Sequence, residues 1–168
     1  NIAGWVLFSV ALVTYGLTVE PTASYWDAGE YISTSAKLQI GHPPGAPFHQ
    51  MMGAIFSLFA PSNDLIALAV NFLSVVSSAF VILFLFWSTT LILNKIFKEN
   101  EFKNSWAIIL SASIGALAFT FSDSFWFNAV ETEVYALAML FLSSTFWAGL
   151  RLSLIHISEP TRHSLISY

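Results

Sequence analysis

Asp27 and Glu30 stand three residues apart in the segment Tyr25-Trp26-Asp27-Ala28-Gly29-Glu30, and on a helix that spacing puts two carboxylates on one face. Such a pair could collect a hydroxyl group and take its proton, which is general-base chemistry. Thr34 and Lys37 continue the same face. Ser24 fits the N-cap of a helix running to about Ile40, with Asp27 at its third position. In that position Asp27 is equally a capping-box acid, and Glu30 equally a surface partner for Lys37. Tyr25, Ala28, Ile32 and Ala36 share a second face, so the helix is expected to lie along a membrane surface.

The next segment, Gly41-His42-Pro43-Pro44-Gly45-Ala46-Pro47, cannot form a regular helix, because its prolines and glycines impose a fixed, irregular backbone. His42 could contact a phosphate or take part in proton transfer. His49 carries the same chemistry, but a polar group at the interface is the reading favoured for it. A second acidic stretch, Ser122–Tyr135, contains Asp123, Glu131 and Glu133. Carboxylates near membrane depth are costly and face a cavity or a partner. Two residues apart, Glu131 and Glu133 point to different sides of a helix, so only one is expected to share a cavity with Asp27. Either is also a helix-start acid favoured by the dipole.

The elements that must position these residues are membrane helices. Of the 168 residues 56% are hydrophobic, 16% aromatic and only 10% charged, against roughly 45–50% apolar in soluble domains. The mean hydropathy is +0.70. Four spans are expected, at about Ile2–Val19, Leu65–Leu93, Trp106–Phe121 and Val134–Leu150, near the ~17–25 residues that a crossing requires. The second exceeds that length and should tilt or project. In the third, the pairs Ser111/Gly115 and Ala112/Ala116 should let neighbouring helices approach closely. Phe48–Ala60 is apolar but too short to cross, and so should be an interfacial or re-entrant helix. The first stretch lacks the basic start and cleavage site of a signal peptide and reads as a retained span. With Asn1 in place of a Met and opening almost directly on that span, the chain is expected to lack its true N-terminus and to be a fragment from the front end of a longer protein.

Lys95, Lys98 and Lys103 flank the link between spans two and three, and Arg151 closes span four, which marks that side as cytoplasmic. Both acidic loops then face outward, where Tyr25, Trp26, Tyr31, Phe125 and Trp126 would form an aromatic belt. There is no basic cluster suited to nucleic acid. The absence of cysteine excludes disulfides, Cys-ligated zinc and thiol catalysis. Residues 152–168 break the pattern and resemble translated sequencing-adapter read-through, with a native amphipathic tail as the alternative. His156, Glu159 and His163 are therefore set aside, and residues 1–151 are taken as the N-terminal part of one transmembrane domain.

The ordered motifs Leu17-Thr-Val-Glu20-Pro-Thr, Trp26-Asp-Ala-Gly-Glu30-Tyr-Ile, Lys37-Leu-Gln-Ile-Gly-His42-Pro-Pro-Gly-Ala-Pro and Glu131-Thr-Glu133-Val-Tyr135-Ala resemble a family of large bacterial membrane proteins. That family is related to the GT-C membrane glycosyltransferases, including protein O-mannosyltransferases. The resemblance implies an all-α, polytopic, GT-C-like protein of the bacterial cytoplasmic membrane, its active loop on the outer, periplasmic face. It implies inverting transfer of a hexose such as mannose from a polyprenyl-phosphate donor to a protein hydroxyl, without a metal or other cofactor. Asp27 would be the base and Glu30 would hold the acceptor or tune that base. His42, with Pro43 and Pro44, would shape the donor phosphate end. Lys37, Glu131, Glu133 and Tyr135 are further substrate-binding candidates. Alone, this front part is expected to be inactive. A membrane transporter whose acids bind a cation or solute, and a scaffold whose loop docks a partner, are the competing readings.

Overall fold

The computed structural model describes residues 2–97 and 105–158. Among these the chain is all-helical, with α1 at Ile2–Leu17, α2 at Ala28–Lys37, α3 at Pro47–Ser57, α4 at Ile66–Ile96, α5 at Ser105–Thr120, α6 at Asp123–Val130 and α7 at Val134–Ser158. A short 3-10 turn, Asn63–Leu65, leads into α4.

The 31 residues of α4 make a rod of about 46 Å at 1.5 Å per residue, longer than the roughly 30 Å of bilayer hydrocarbon. It is the hub of the bundle, packing against α1, α2, α3, α5, α6 and α7. Among the described residues, only α4 and α7 are long and apolar enough to cross a membrane individually. The α5–α6 pair, bent by 65° at residues 121–122, makes a third crossing if counted as one span. The 16 residues of α1 fall just short of span length, so among the described residues two or three crossings are supported where four were expected. α7 continues past Arg151 to Ser158, because no proline or glycine interrupts the chain until Pro160. Lys98, Lys103, Glu159 and His163 lie outside the described residues.

Leu7, Ala11 and Tyr15 of α1, Val75, Ala79, Ile82 and Phe86 of α4, Ala112 and Ala116 of α5, and Phe125 and Ala129 of α6 form one core. Alanines at these crossings let the helix backbones approach closely. The Tyr15 hydroxyl donates to the Thr120 carbonyl at 2.8 Å, satisfying a group freed at the end of α5. Of the two small-residue pairs on α5, only Ala112/Ala116 is buried. Ser111 and Gly115 are exposed, and a methyl group added at Gly115 would meet nothing within 4 Å. The helix is therefore buried along one stripe instead of all round. The aromatic belt also divides: Tyr25 and Trp26 are 82% and 86% exposed, whereas Tyr31 and Phe125 are buried.

The two acidic loops meet at one end of the bundle, where the Glu20 N–H donates to the Val130 carbonyl at 2.9 Å. α2 and α3 pack against each other there, and both rest on α4. Gly53 permits that contact, since a side chain at this position would collide with Ser35.

Candidate functional site

The helix carrying the first-loop acids begins later and ends earlier than its sequence suggests. Trp26 adopts φ +61, a left-handed conformation that a right-handed helix cannot include, so α2 starts at Ala28 and Ser24 is not its cap. The Ser24 hydroxyl is buried without a hydrogen-bond partner. Asp27 occupies the N-cap position, but its carboxylate makes no capping bond. Left-handed Leu38 ends the helix after Lys37. Its buried face is Ala28, Tyr31, Thr34 and Ser35, displaced from the expected Tyr25, Ala28, Ile32 and Ala36 because α2 packs on α3 instead of lying free. Thr34 thus turns inward, accepting from Gln50 Nε2 at 2.9 Å.

Glu30 does not pair with Lys37. One of its oxygens accepts the His42 backbone N–H at 2.6 Å and the other lies 2.8 Å from His42 Nδ1. The second ring nitrogen, Nε2, is 4.0 Å from Asp27 Oδ2. An imidazole therefore sits between two carboxylates. Hydrogen bonds from the His42 backbone and ring, with the charge of that ring, hold Glu30 below the usual carboxylate range. The hydrogen bond to Glu30 and its charge, aided by that of Asp27, raise His42 above its ordinary 6.5. Gly41 makes the closure possible: an added methyl group would stand 2.7 Å from Gln50 Nε2 and 3.0 Å from Glu30 Oε1. Pro43 and Pro44, joined by a cis peptide, form the exposed turn beyond. Lys37 is exposed on the last turn of α2, two turns away from Glu30.

From the second loop, Glu131 and Glu133 are both buried. Glu131 is extended, φ −130 and ψ 158, and ends α6. Glu133 reaches the first loop, where the backbone N–H groups of Val134 and Asp27 favour its charged form. Burial raises its pKa, the charges of Asp27 and Glu131 add to that, and the two hydrogen bonds oppose it. Tyr135 is exposed and lines a groove with Asn128 and Met139.

Two site residues escaped the sequence reading. Tyr31, expected in the interfacial belt, is buried, and its phenol is raised by burial and by Glu133, Asp27 and Glu30, so it remains a neutral hydroxyl among the acids. His49, set aside as an interfacial group, is buried, with its ring edge-on to Tyr31 at 5.2 Å and Nε2 3.3 Å from Thr132 Oγ1. Burial pushes it down to about 4, so it is neutral at physiological pH. The signal that could have found it is a His-Gln pair inside a short apolar helix, where polar groups require partners.

One ligand atom each from Asp27, Glu30 and His42 lies within 4.8 Å of the other two, a spacing that a divalent cation could bridge. In the arrangement present, both ring nitrogens face carboxylates, so the histidine joins them as an imidazolium would. A cavity of about 780 Å³ lies elsewhere, between α1, α4 and α5. It contains none of the acids, and the cluster is instead open at the surface.

Comparison with known proteins places the chain in a family. Residues 27–167 match the family described as the protein O-mannosyl-transferase TMEM260 N-terminal domain. The chain is 29% identical over 160 residues to the protein O-mannosyl-transferase tmem260 of Dictyostelium discoideum, a match covering 95% of this chain but 18% of that relative. No solved structure matches. With the family match spanning both acidic loops and the helices that join them, the chain belongs to the TMEM260 N-terminal domain family.

Proposed function

We propose that this chain forms the acceptor-activating part of a GT-C-like membrane glycosyltransferase, moving a hexose such as mannose from a polyprenyl-phosphate donor to a protein hydroxyl. By the resemblance in its motifs, the reaction takes place on the outer face of a bacterial cytoplasmic membrane. The names of the family and of the Dictyostelium relative support the transferase class. The observation that carries the chemistry is the His42 imidazole set between Asp27 and Glu30, where the two acidic loops meet.

In this reading Asp27, exposed and free of any capping bond, takes the proton of the acceptor hydroxyl. The freed oxygen attacks the anomeric carbon from the face opposite the phosphate. A new C–O bond forms while the C–O bond to the polyprenyl phosphate breaks, the electron pair leaves with the phosphate, and the configuration inverts. Glu30 fixes the His42 ring and favours its protonated form, which adds positive charge at the donor phosphate end. Pro43 and Pro44 hold the turn rigid, and Lys37 offers a second cation. Glu131, Glu133 and Tyr135 border the acceptor side.

The decisive assay uses the full-length protein, because the chain spans only 18% of the relative. Asp27→Asn keeps the backbone N–H beside Glu133 and removes only the base. Transfer of labelled mannose from polyprenyl-phosphate-mannose to a Ser/Thr peptide should fall by ~10²–10⁴-fold, the size of a general-base contribution, with donor binding retained. Undiminished transfer would remove Asp27 from the role. Movement of a solute across vesicles without a glycosidic product would favour transport instead.

A further inference from the structure

Asn71 lies on the second turn of α4 and is fully buried, an amide within a helix otherwise rich in apolar residues. Both donors of its side-chain amide and one lone pair of its oxygen are used. Nδ2 donates to the Glu20 carbonyl at 2.7 Å and to the Thr22 carbonyl at 3.0 Å, and Oδ1 accepts the Thr132 N–H at 3.0 Å. The first two partners belong to the loop that leads to Asp27. The third immediately precedes Glu133, whose carboxylate faces the Asp27 backbone. One planar group thus grips both loops just beside the point where their acids meet.

We propose that Asn71 is a positioning residue that sets the register between Asp27 and Glu133, and through it the placement of the base. The proposal rests on the glycosyltransferase reading of the site. An amide is the chemistry this junction needs, because two donors and an acceptor must come from one rigid group. Aspartate has the same shape but cannot donate, and it would set a carboxylate beside two carbonyl oxygens. Serine is smaller and retains a single rotatable hydroxyl.

Two readouts on the full-length protein test this. In the first, spin labels on Ala23→Cys and Ser124→Cys, both exposed and outside the site, report the distance between the loops. The parent should give one narrow distribution, and Asn71→Asp and Asn71→Ser should broaden it. In the second, kcat for transfer should fall ~100-fold in Asn71→Asp, the cost of a misplacement near 1 Å, while donor KM stays close to the parent value and the pH profile of kcat shifts. Ser78→Ala, at another buried position on α4, should change neither readout. An unchanged distance distribution, or a loss that only tracks the amount of folded protein, would overturn the assignment. Failure of both Asn71 variants to fold would also overturn it, making Asn71 a residue of the fold alone. The distance readout does not depend on catalysis, so it decides the role of Asn71 even if Asp27→Asn proves fully active.

Discussion

The carboxylate of Glu133 faces the backbone N–H of Asp27, which favours its charged form, so two acids far apart in sequence meet through a main-chain group of one and the side chain of the other. The carboxylate of Asp27 makes no capping bond and faces the His42 ring, while Glu133 is withdrawn from water and has its charge disfavoured. The division of labour between the two acids follows from which atoms touch.

The first prediction concerns Glu133. Its pKa is raised in the folded state, so ionising it opposes folding once the pH exceeds the unfolded value near 4.5, and the penalty grows until the folded pKa is passed. Glu133→Gln retains an oxygen for the Asp27 N–H and never ionises. The variant should therefore have a higher thermal midpoint than the parent at pH 7, the difference closing as the pH falls below about 4.5. A constant difference at every pH would show that the charge is not the cause.

The Glu30–His42 pair gives a second, with a pH window of its own. Glu30 is lowered, so its contribution is complete above its ordinary 4.5 and is lost as the pH falls through the lower folded value. His42 is raised, so its contribution is complete below 6.5 and is lost as the pH rises through the higher folded value. Together they should stabilise the loop most between those two ordinary values. His42→Ala keeps the backbone N–H bond to Glu30 and loses the ring bond. Thermal scans across pH should show its deficit greatest inside that window, and NMR titration should place the His42 ring above 6.5. A ring titrating at or below 6.5 would refute the pairing.

A third prediction concerns His49, buried, neutral and pushed down to about 4. The unfolded chain binds a proton at this site between 6.5 and about 4 when the folded one does not, so stability should decline as the pH drops through that interval. His49→Phe preserves a ring against Tyr31 but removes the partner of the Thr132 hydroxyl, at a cost of about 1–3 kcal/mol for the unpaired buried group. Chemical denaturation should register that loss at pH 7 and a shallower acid dependence. An unchanged acid dependence would assign the sensitivity to another group.

The helices and their approximate limits were legible because long apolar runs announce themselves: α4 begins one residue after the expected Leu65 and runs three beyond Leu93. The irregular turn at His42 and the short α3 followed directly from proline, glycine and length. The start of α2 was not legible. Its local pattern, Ser24 followed by Asp27, is that of a capping box, and the tie from Glu133 to the Asp27 N–H belongs to tertiary structure. The Glu30–His42 contact spans 12 residues and depends on how the turn folds back, which spacing on a single helix cannot express. Asn71 and His49 left a fainter trace, since each is a polar residue in an apolar helix and must find partners there, but the identity of those partners lies in the packing.

The three bonds of Asn71 all end on main-chain atoms of Glu20, Thr22 and Thr132. The junction is therefore blind to which side chains those three residues carry, and it imposes one compositional rule: residue 132 must keep an N–H, so it cannot be proline. Loop side chains can diversify while the path of the backbone stays constant.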